Sequence, residues 1–206
     1  MMVECLFCGW QGENFEVYSK RQNSKCPKCE SLERHRLLNL FLSQWMGRNK
    51  TLKLFYVSPT KYMKTFINSF TNISYIFSNF SEGFDLTDLP LKDNLFDLAI
   101  CIHVLEHIQN DIQALKELFR VLKVGGKAII QSALDNNLDK TKEYTKDEQE
   151  KDKDNHLRVY GNDYKEILEK VGFNVEVNKF AFNLDKDIIL KCNPSIENIY
   201  ICAKEN

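Results

Sequence analysis

The sequence predicts an α/β sandwich around a largely parallel sheet, and three observations carry that prediction. Short apolar runs of strand character alternate with stripes of helical period from residue 51 onward. The run 96–102 (FDLAICI) is apolar enough to be buried on both faces, as a central parallel strand is. Capping residues and glycines punctuate the helical stripes where each should begin or end.

In chain order, residues 53–57 read as a first strand. Ser58 and Pro59 follow as expected N-cap and first helical residue, with Met63, Phe66, Ile67 and Phe70 as the apolar stripe. Residues 73–77 give a second strand and 96–102 the buried one. Asn110 with Gln113 then opens a helix whose expected face is Ile112, Leu115, Phe119 and Leu122, stopped at Gly125-Gly126. Residues 127–131 form the next strand. The stretch 135–155 is charged and nearly devoid of apolar residues, so a surface loop or lid is expected. Asp163 with Glu166 should cap a helix carrying Tyr164, Ile167, Leu168 and Val171 and ended by Gly172, before a closing pair of strands at 173–180 and 196–203.

The 206 residues suffice for one well-buried domain with a small appendage. Net charge is −1, which lacks the broad positive field that attends phosphate-backbone binding. No stretch reaches the roughly 18 uninterrupted apolar residues of a membrane span, and the first ten residues lack the basic and apolar regions of a secretory leader. A cytoplasmic location is therefore expected.

Residues 1–30 hold too few apolar side chains for a core, and they carry two CxxC pairs. Cys5 and Cys8 lie 17 residues from Cys26 and Cys29, the arrangement of a four-cysteine structural zinc site. Four thiolates leave no position for water, so the expected metal is a structural Zn2+ that supplies most of the folding free energy of this segment. Cys101, Cys192 and Cys202 lie in apolar, strand-like runs and read as buried hydrophobes. Residues 31–47 carry the helical stripe Leu38, Phe41, Leu42 and Trp45. Arg34 and Arg36, just after the ribbon, would meet an anion or hold ribbon and domain together, and His35 is a candidate proton carrier. The expected organisation is a zinc ribbon at 1–30, a linking helix at 31–50 and the main domain at 51–206.

Four segments, CPKCESLERHR, FDLAICIHVLEHI, ALKELFRVLKVGGKAII and HLRVYGNDY, resemble in order and spacing a bacterial group of class I S-adenosylmethionine-dependent methyltransferases with an N-terminal zinc ribbon. The resemblance implies a Rossmann-like seven-stranded sheet with the cofactor across the carboxyl ends of its early strands. It places Val57, Ser58 and Pro59 at the methionine end of S-adenosylmethionine, Asn79 at the ribose, Asp85 and Leu86 at the adenine, and His103, Val104 and Leu105 at the transfer cleft. His103, His156 and Arg158 are the candidate catalytic residues, with His107 in a structural role beside the cofactor loop.

The implied activity is methyl transfer to a small molecule or glycan. Two alternatives stand beside it. One is an RNA methyltransferase whose ribbon, with Lys25, Lys28, Arg34 and Arg36, grips phosphates. The other is a catalytically silent binding protein. The latter draws on VSPTKYM, which has no glycine where the family has a glycine-rich turn, on Thr60 in that turn, and on Asn79 in place of an acidic residue.

Overall fold

The computed structural model describes residues 2–45, 51–78 and 83–205. The chain divides into two compact units. One gathers Met1–Lys50, Thr60–Asn72 and Lys179–Asn198, and the other gathers Thr51–Pro59, Ile73–Asn178 and Ile199–Asn206.

The first unit begins with two antiparallel hairpins, β1 (Val3–Cys5) with β2 (Trp10–Gly12) and β3 (Glu16–Tyr18) with β4 (Arg21–Lys25). Helix α1 (Glu33–Trp45) buries Leu38, Phe41 and Leu42 of the expected stripe, together with Leu37; the side chain of Trp45, the fourth member of the stripe, lies outside the described residues. Helix α2 (Lys61–Asn68) starts two residues later than expected. Thr60 is its N-cap, accepting from the Met63 amide, because Ser58 takes a left-handed conformation (φ 48°) that no helix can include. A third helix, α6 (Lys186–Cys192), places Cys192 on a helix rather than a strand; the Asp185 side chain caps it by accepting from the Asp187 amide.

Arg36 organises this unit from within. Its guanidinium is buried, donates to the carbonyls of Ser31, Cys192 and Asn193 at 2.6–2.9 Å, and lies 4.1 Å from the Phe15 ring centroid. All three guanidinium nitrogens are thereby committed to backbone oxygens.

The second unit is built on one sheet. Strand β5 (Leu52–Val57) lies between β6 (Ile73–Ser78) and β7 (Phe96–Ile102), all parallel. Strand β8 (Leu122–Gln131) continues in parallel beside β7. Then β12 (Ile199–Ala203) and β11 (Asn174–Asn178) close the sheet as the expected antiparallel pair. The order is β11-β12-β8-β7-β5-β6, six strands among the described residues. This corrects the seven expected. Between β6 and β7 the described residues form only turns, and the whole connection is too short for a further parallel strand with a crossover on each side, each a dozen residues or more.

Helices α3 (Asp111–Val121) and α5 (Tyr164–Val171) cover this sheet with Leu115, Leu118, Tyr164 and Leu168 fully buried. Asn110 caps α3 through the Gln113 amide as expected, but Ile112 is exposed, and Leu122 already belongs to β8. The helix therefore passes straight into a strand instead of stopping at the glycine pair. Asp163 does not cap α5 with its side chain, since its Oδ1 accepts from the Thr141 amide and hydroxyl instead.

The charged stretch is also more ordered than a bare loop. Strand β9 (Lys142–Glu143) pairs with β10 (Arg158–Val159), and helix α4 (Lys146–Lys151) is held by a capping box between Thr145 and Glu148. Polar bonds do here what apolar burial does elsewhere.

Gly172 ends α5 at φ 118°, and a Cβ there would lie 3.2 Å from the Phe119 ring. Gly172→Ala is expected to destabilise the protein by about 1–2 kcal/mol, measured by urea denaturation. A neutral effect would mean that this turn is free to rearrange.

Candidate functional site

The parallel strands reverse their winding between β5 and β7, the topological switch at which open α/β sheets bind ligands beyond the strand carboxyl ends. A cavity of about 630 Å³ opens there, within the range of small-molecule sites. Its floor is made by strand ends: Val57 ending β5 and Ser58 after it, Ser78 ending β6, His103 and Val104 after β7. One wall is the loop Phe84–Thr87, and the other is His107–Asn110. The apolar lining comes from Val57, Phe84, Leu86, Val104 and Ile108.

Two non-glycine residues at this floor are left-handed, Ser58 at φ 48° and His103 at φ 51°. They follow adjacent paired strands, and each costs of order 1–3 kcal/mol that the surrounding bonds must offset. The Ser58 amide donates to the Ser78 carbonyl at 2.7 Å, and the His103 amide donates to the Gln131 carbonyl at 2.9 Å. Strand pairing thus continues one residue into each turn and fixes it.

Asp85 stands in the wall with its Oδ1 accepting from the amide and hydroxyl of Thr87, at 2.8 and 2.7 Å. Those two bonds, the amide first, hold its carboxyl below the usual carboxylate range. The loop itself is pinned from α3. Arg120 donates to the carbonyls of Leu89 and Leu91 and to the carboxylates of Asp93 and Glu117, while Glu117 accepts from the Leu89 amide at 2.8 Å.

On the opposite wall, Glu106 lies in a 3-10 turn, Leu105–His107, and is fully buried. Its Oε1 accepts from His103 Nδ1 and from the Ala133 amide, both at 3.0 Å. Burial acts to raise the Glu106 pKa, but the hydrogen bond and charge of His103 outweigh it and the net shift is downward.

Of the residues expected at the site, Val57, Ser58, Asp85, Leu86, His103 and Val104 line the cavity. Leu105 is fully buried and forms core, and Pro59 is outside the lining. Asn79 lies outside the described residues. His156 sits beside His107, ring centroids 4.9 Å apart, without lining the cavity. Arg158 is the clearest displacement. It is buried and donates to the carbonyls of Leu105, Ile108 and Gln109 and to Glu143, so it anchors the cavity wall and does not itself line the cavity. Glu106, Thr87 and the Glu117–Arg120 pair were missed by sequence reasoning. The Glu117–Arg120 spacing on a helix was a usable signal, whereas partners that are backbone carbonyls leave no trace in a sequence.

In the first unit, Cys5, Cys8, Cys26 and Cys29 come together with their sulfurs within 4.8 Å of one another. Cys5 and Cys29 are 3.6 Å apart, and Cys8 and Cys26 are 3.7 Å apart. Each pair sits on a tight turn, with Gly9 donating to the Cys5 carbonyl and Glu30 to the Cys26 carbonyl at 2.8 Å. The hydrogen bond from Cys29 pulls Cys5 down to about 4, and burial pushes Cys26 up to about 11.

Residues 41–130 match the family described as methyltransferase domain. A sterol 4-C-methyltransferase of Caenorhabditis elegans is 40% identical over 76 residues, 37% of this chain and 21% of that protein. The chain covers only 20% to 26% of the length of the curated relatives it matches first. Among solved structures, a putative methyltransferase from Bacillus halodurans superposes with a TM-score of 0.51 at 14% identity, covering 82% of this chain and 99% of that one. An S-adenosylmethionine-dependent methyltransferase from Mesorhizobium loti gives 0.50 at 13% identity, covering 79% and 94%. The fold is that of the class I S-adenosylmethionine-dependent methyltransferases. This chain carries it with six sheet strands among the described residues and a four-cysteine cluster at its N-terminal end.

Glu117 accepts from Arg120, which with the Leu89 amide holds its carboxyl below 4.5 against the opposing effect of burial. A lowered folded pKa means that its stabilisation is complete above about pH 4.5 and is lost as pH falls through the lower folded value. Glu117→Gln is expected to cost about 1–3 kcal/mol near neutral pH, with the gap to wild type narrowing in acid. Urea denaturation across pH measures this, and a pH-independent gap would discount the pair.

Proposed function

We propose that the chain is an S-adenosylmethionine-dependent methyltransferase acting on a small molecule. The observation that carries the reading is the coincidence of the cavity with the sheet's switch point, where an exposed acceptor, Asp85, faces an otherwise largely apolar lining.

The lining suits the cofactor. Apolar side chains from Phe84, Leu86, Val104 and Ile108 match a purine and its sulfur-bearing chain, and Asp85 Oδ2 remains to accept from an exocyclic amine. S-adenosylmethionine, when bound, supplies an electrophilic methyl group on a sulfonium. The protein's share of an in-line displacement is to orient the acceptor and exclude water. Val104 and Ile108 serve exclusion. His103, held by Glu106 through Nδ1, lines the cavity and would help to orient the acceptor.

A small acceptor is favoured by the modest, apolar cavity and by the net charge of −1, and the sterol methyltransferase relative agrees with it. The RNA reading loses one of its phosphate contacts, because Arg36 is spent on carbonyls.

We further propose that the four cysteines hold a structural Zn2+ within a ribbon at residues 1–30. Sulfurs bound to zinc at about 2.3 Å define a tetrahedron of edge about 3.8 Å, which the 3.6 and 3.7 Å separations nearly meet.

Calorimetric titration with S-adenosylmethionine should give saturable binding, and Asp85→Ala should weaken it roughly tenfold. Absence of heat and of thermal shift at millimolar ligand would leave the fold without the activity. Cys26→Ser should lose the zinc and the folding of the first thirty residues. Unchanged zinc content and melting in that variant would count against the metal.

A further inference from the structure

We infer that Glu106, His107 and His156 form a binding site for a divalent transition-metal cation at the wall of the cavity, distinct from the four-cysteine cluster. One carboxylate oxygen of Glu106 and one ring nitrogen of each histidine lie within 4.8 Å of one another. Ligand atoms around one ion at about 2.1 Å lie about 3 Å apart when adjacent, so small side-chain rotations close the set.

Three features point to a ligand. First, Glu106 is fully buried and its Oε1 is already committed to His103 and Ala133, yet Oε2 is buried with no hydrogen-bond partner among the described residues. A carboxylate oxygen removed from water and left without a donor is costly, and a cation removes the cost.

Second, both histidines are set in the ligating tautomer. His107 Nδ1 lies 3.2 Å from the Asn155 carbonyl, which can only accept, so Nδ1 carries the proton and Nε2 keeps its lone pair. His156 Nδ1 lies 3.1 Å from the Asp152 carboxylate, an acceptor of the kind that orients a metal-ligating imidazole with its Nε2 outward.

Third, the two segments are locked together. The Leu157 amide donates to the Glu106 carbonyl at 2.8 Å, and the imidazole centroids are 4.9 Å apart, close enough for both rings to reach one ion.

A carboxylate with two imidazoles suits Mn2+, Fe2+ or Zn2+, and three protein ligands leave positions open. Because His107 lines the cavity, an open position would hold an oxygen of the acceptor. That last role rests on the methyltransferase reading, whereas binding of the ion does not.

The test uses the full zinc-loaded chain and Mn2+ followed by electron paramagnetic resonance, with a parallel calorimetric titration of S-adenosylmethionine. Saturable binding of one Mn2+ per chain is expected. His107→Ala and His156→Ala should each weaken it at least about tenfold, the loss that even an outer ligand partner's removal can bring. His107 is exposed, so His107→Ala should keep its melting transition, which separates loss of the ion from loss of the fold. No saturable Mn2+ binding at millimolar metal, or variants that bind as tightly as wild type, would overturn the site. Mn2+ binding without cofactor binding would keep the metal and remove the methyltransferase reading, and the reverse result would do the opposite.

Discussion

The cavity depends on one buried carboxylate. Glu106 ties the end of β7 to the segment after β8, because its Oε1 accepts from His103 on one and from the Ala133 amide on the other. Its backbone carbonyl accepts from Leu157, which brings in the segment after the charged stretch. Arg158 then holds the carbonyls of Leu105, Ile108 and Gln109, and the Tyr160 hydroxyl donates to Asp111 at 2.6 Å. A whole cavity wall is thus fixed by polar bonds made mostly out of contact with water. Such a wall is specific in geometry and intolerant of partial loss, since each severed bond leaves a buried group unpaired.

The opposite wall is held by a different device. Arg120 reaches from α3 to two carbonyls and two carboxylates, so a run of turns keeps one shape without regular structure. Both walls therefore stand on an arginine that donates to main-chain oxygens, and Arg36 repeats the arrangement in the first unit. The planar guanidinium suits this use, because its five donors diverge in fixed directions and can meet carbonyls from separate segments at once.

The central strands and the helices of the second unit were legible because their signals are local. FDLAICI is apolar on both faces, Leu115 and Phe119 recur at helical spacing in one helix, and Tyr164 and Leu168 do so in the other. The zinc-type cysteine spacing was legible for the same reason. What escaped was set by tertiary partners. Ser58 reads as an N-cap by composition, but pairing with Ser78 holds it in a left-handed turn and Thr60 takes the cap. Asp163 reads as a cap, but Thr141 claims its carboxylate. Arg158 reads as a catalytic cation, and only the fold reveals three carbonyls around it. Helix α4 is a different case, since Thr145 and Glu148 display the capping-box spacing and low apolar content alone hid it.

The glycine-free turn after β5 then has a physical reading. A glycine-rich turn gives a ligand close access to the backbone by removing side chains and tolerating positive φ. Here Ser58 supplies the positive φ without a glycine, as His103 does after β7, and each turn is held by a hydrogen bond from its backbone N–H to a carbonyl of the neighbouring strand. Positive φ is thus reached with a hydroxymethyl group and an imidazole standing at the cavity floor. Side chains at that floor shrink the space for a ligand but add donors and acceptors to it. The departure from the family pattern therefore moves recognition from bare backbone toward side chains, which bears more directly on which molecules fit than on whether the fold can hold one.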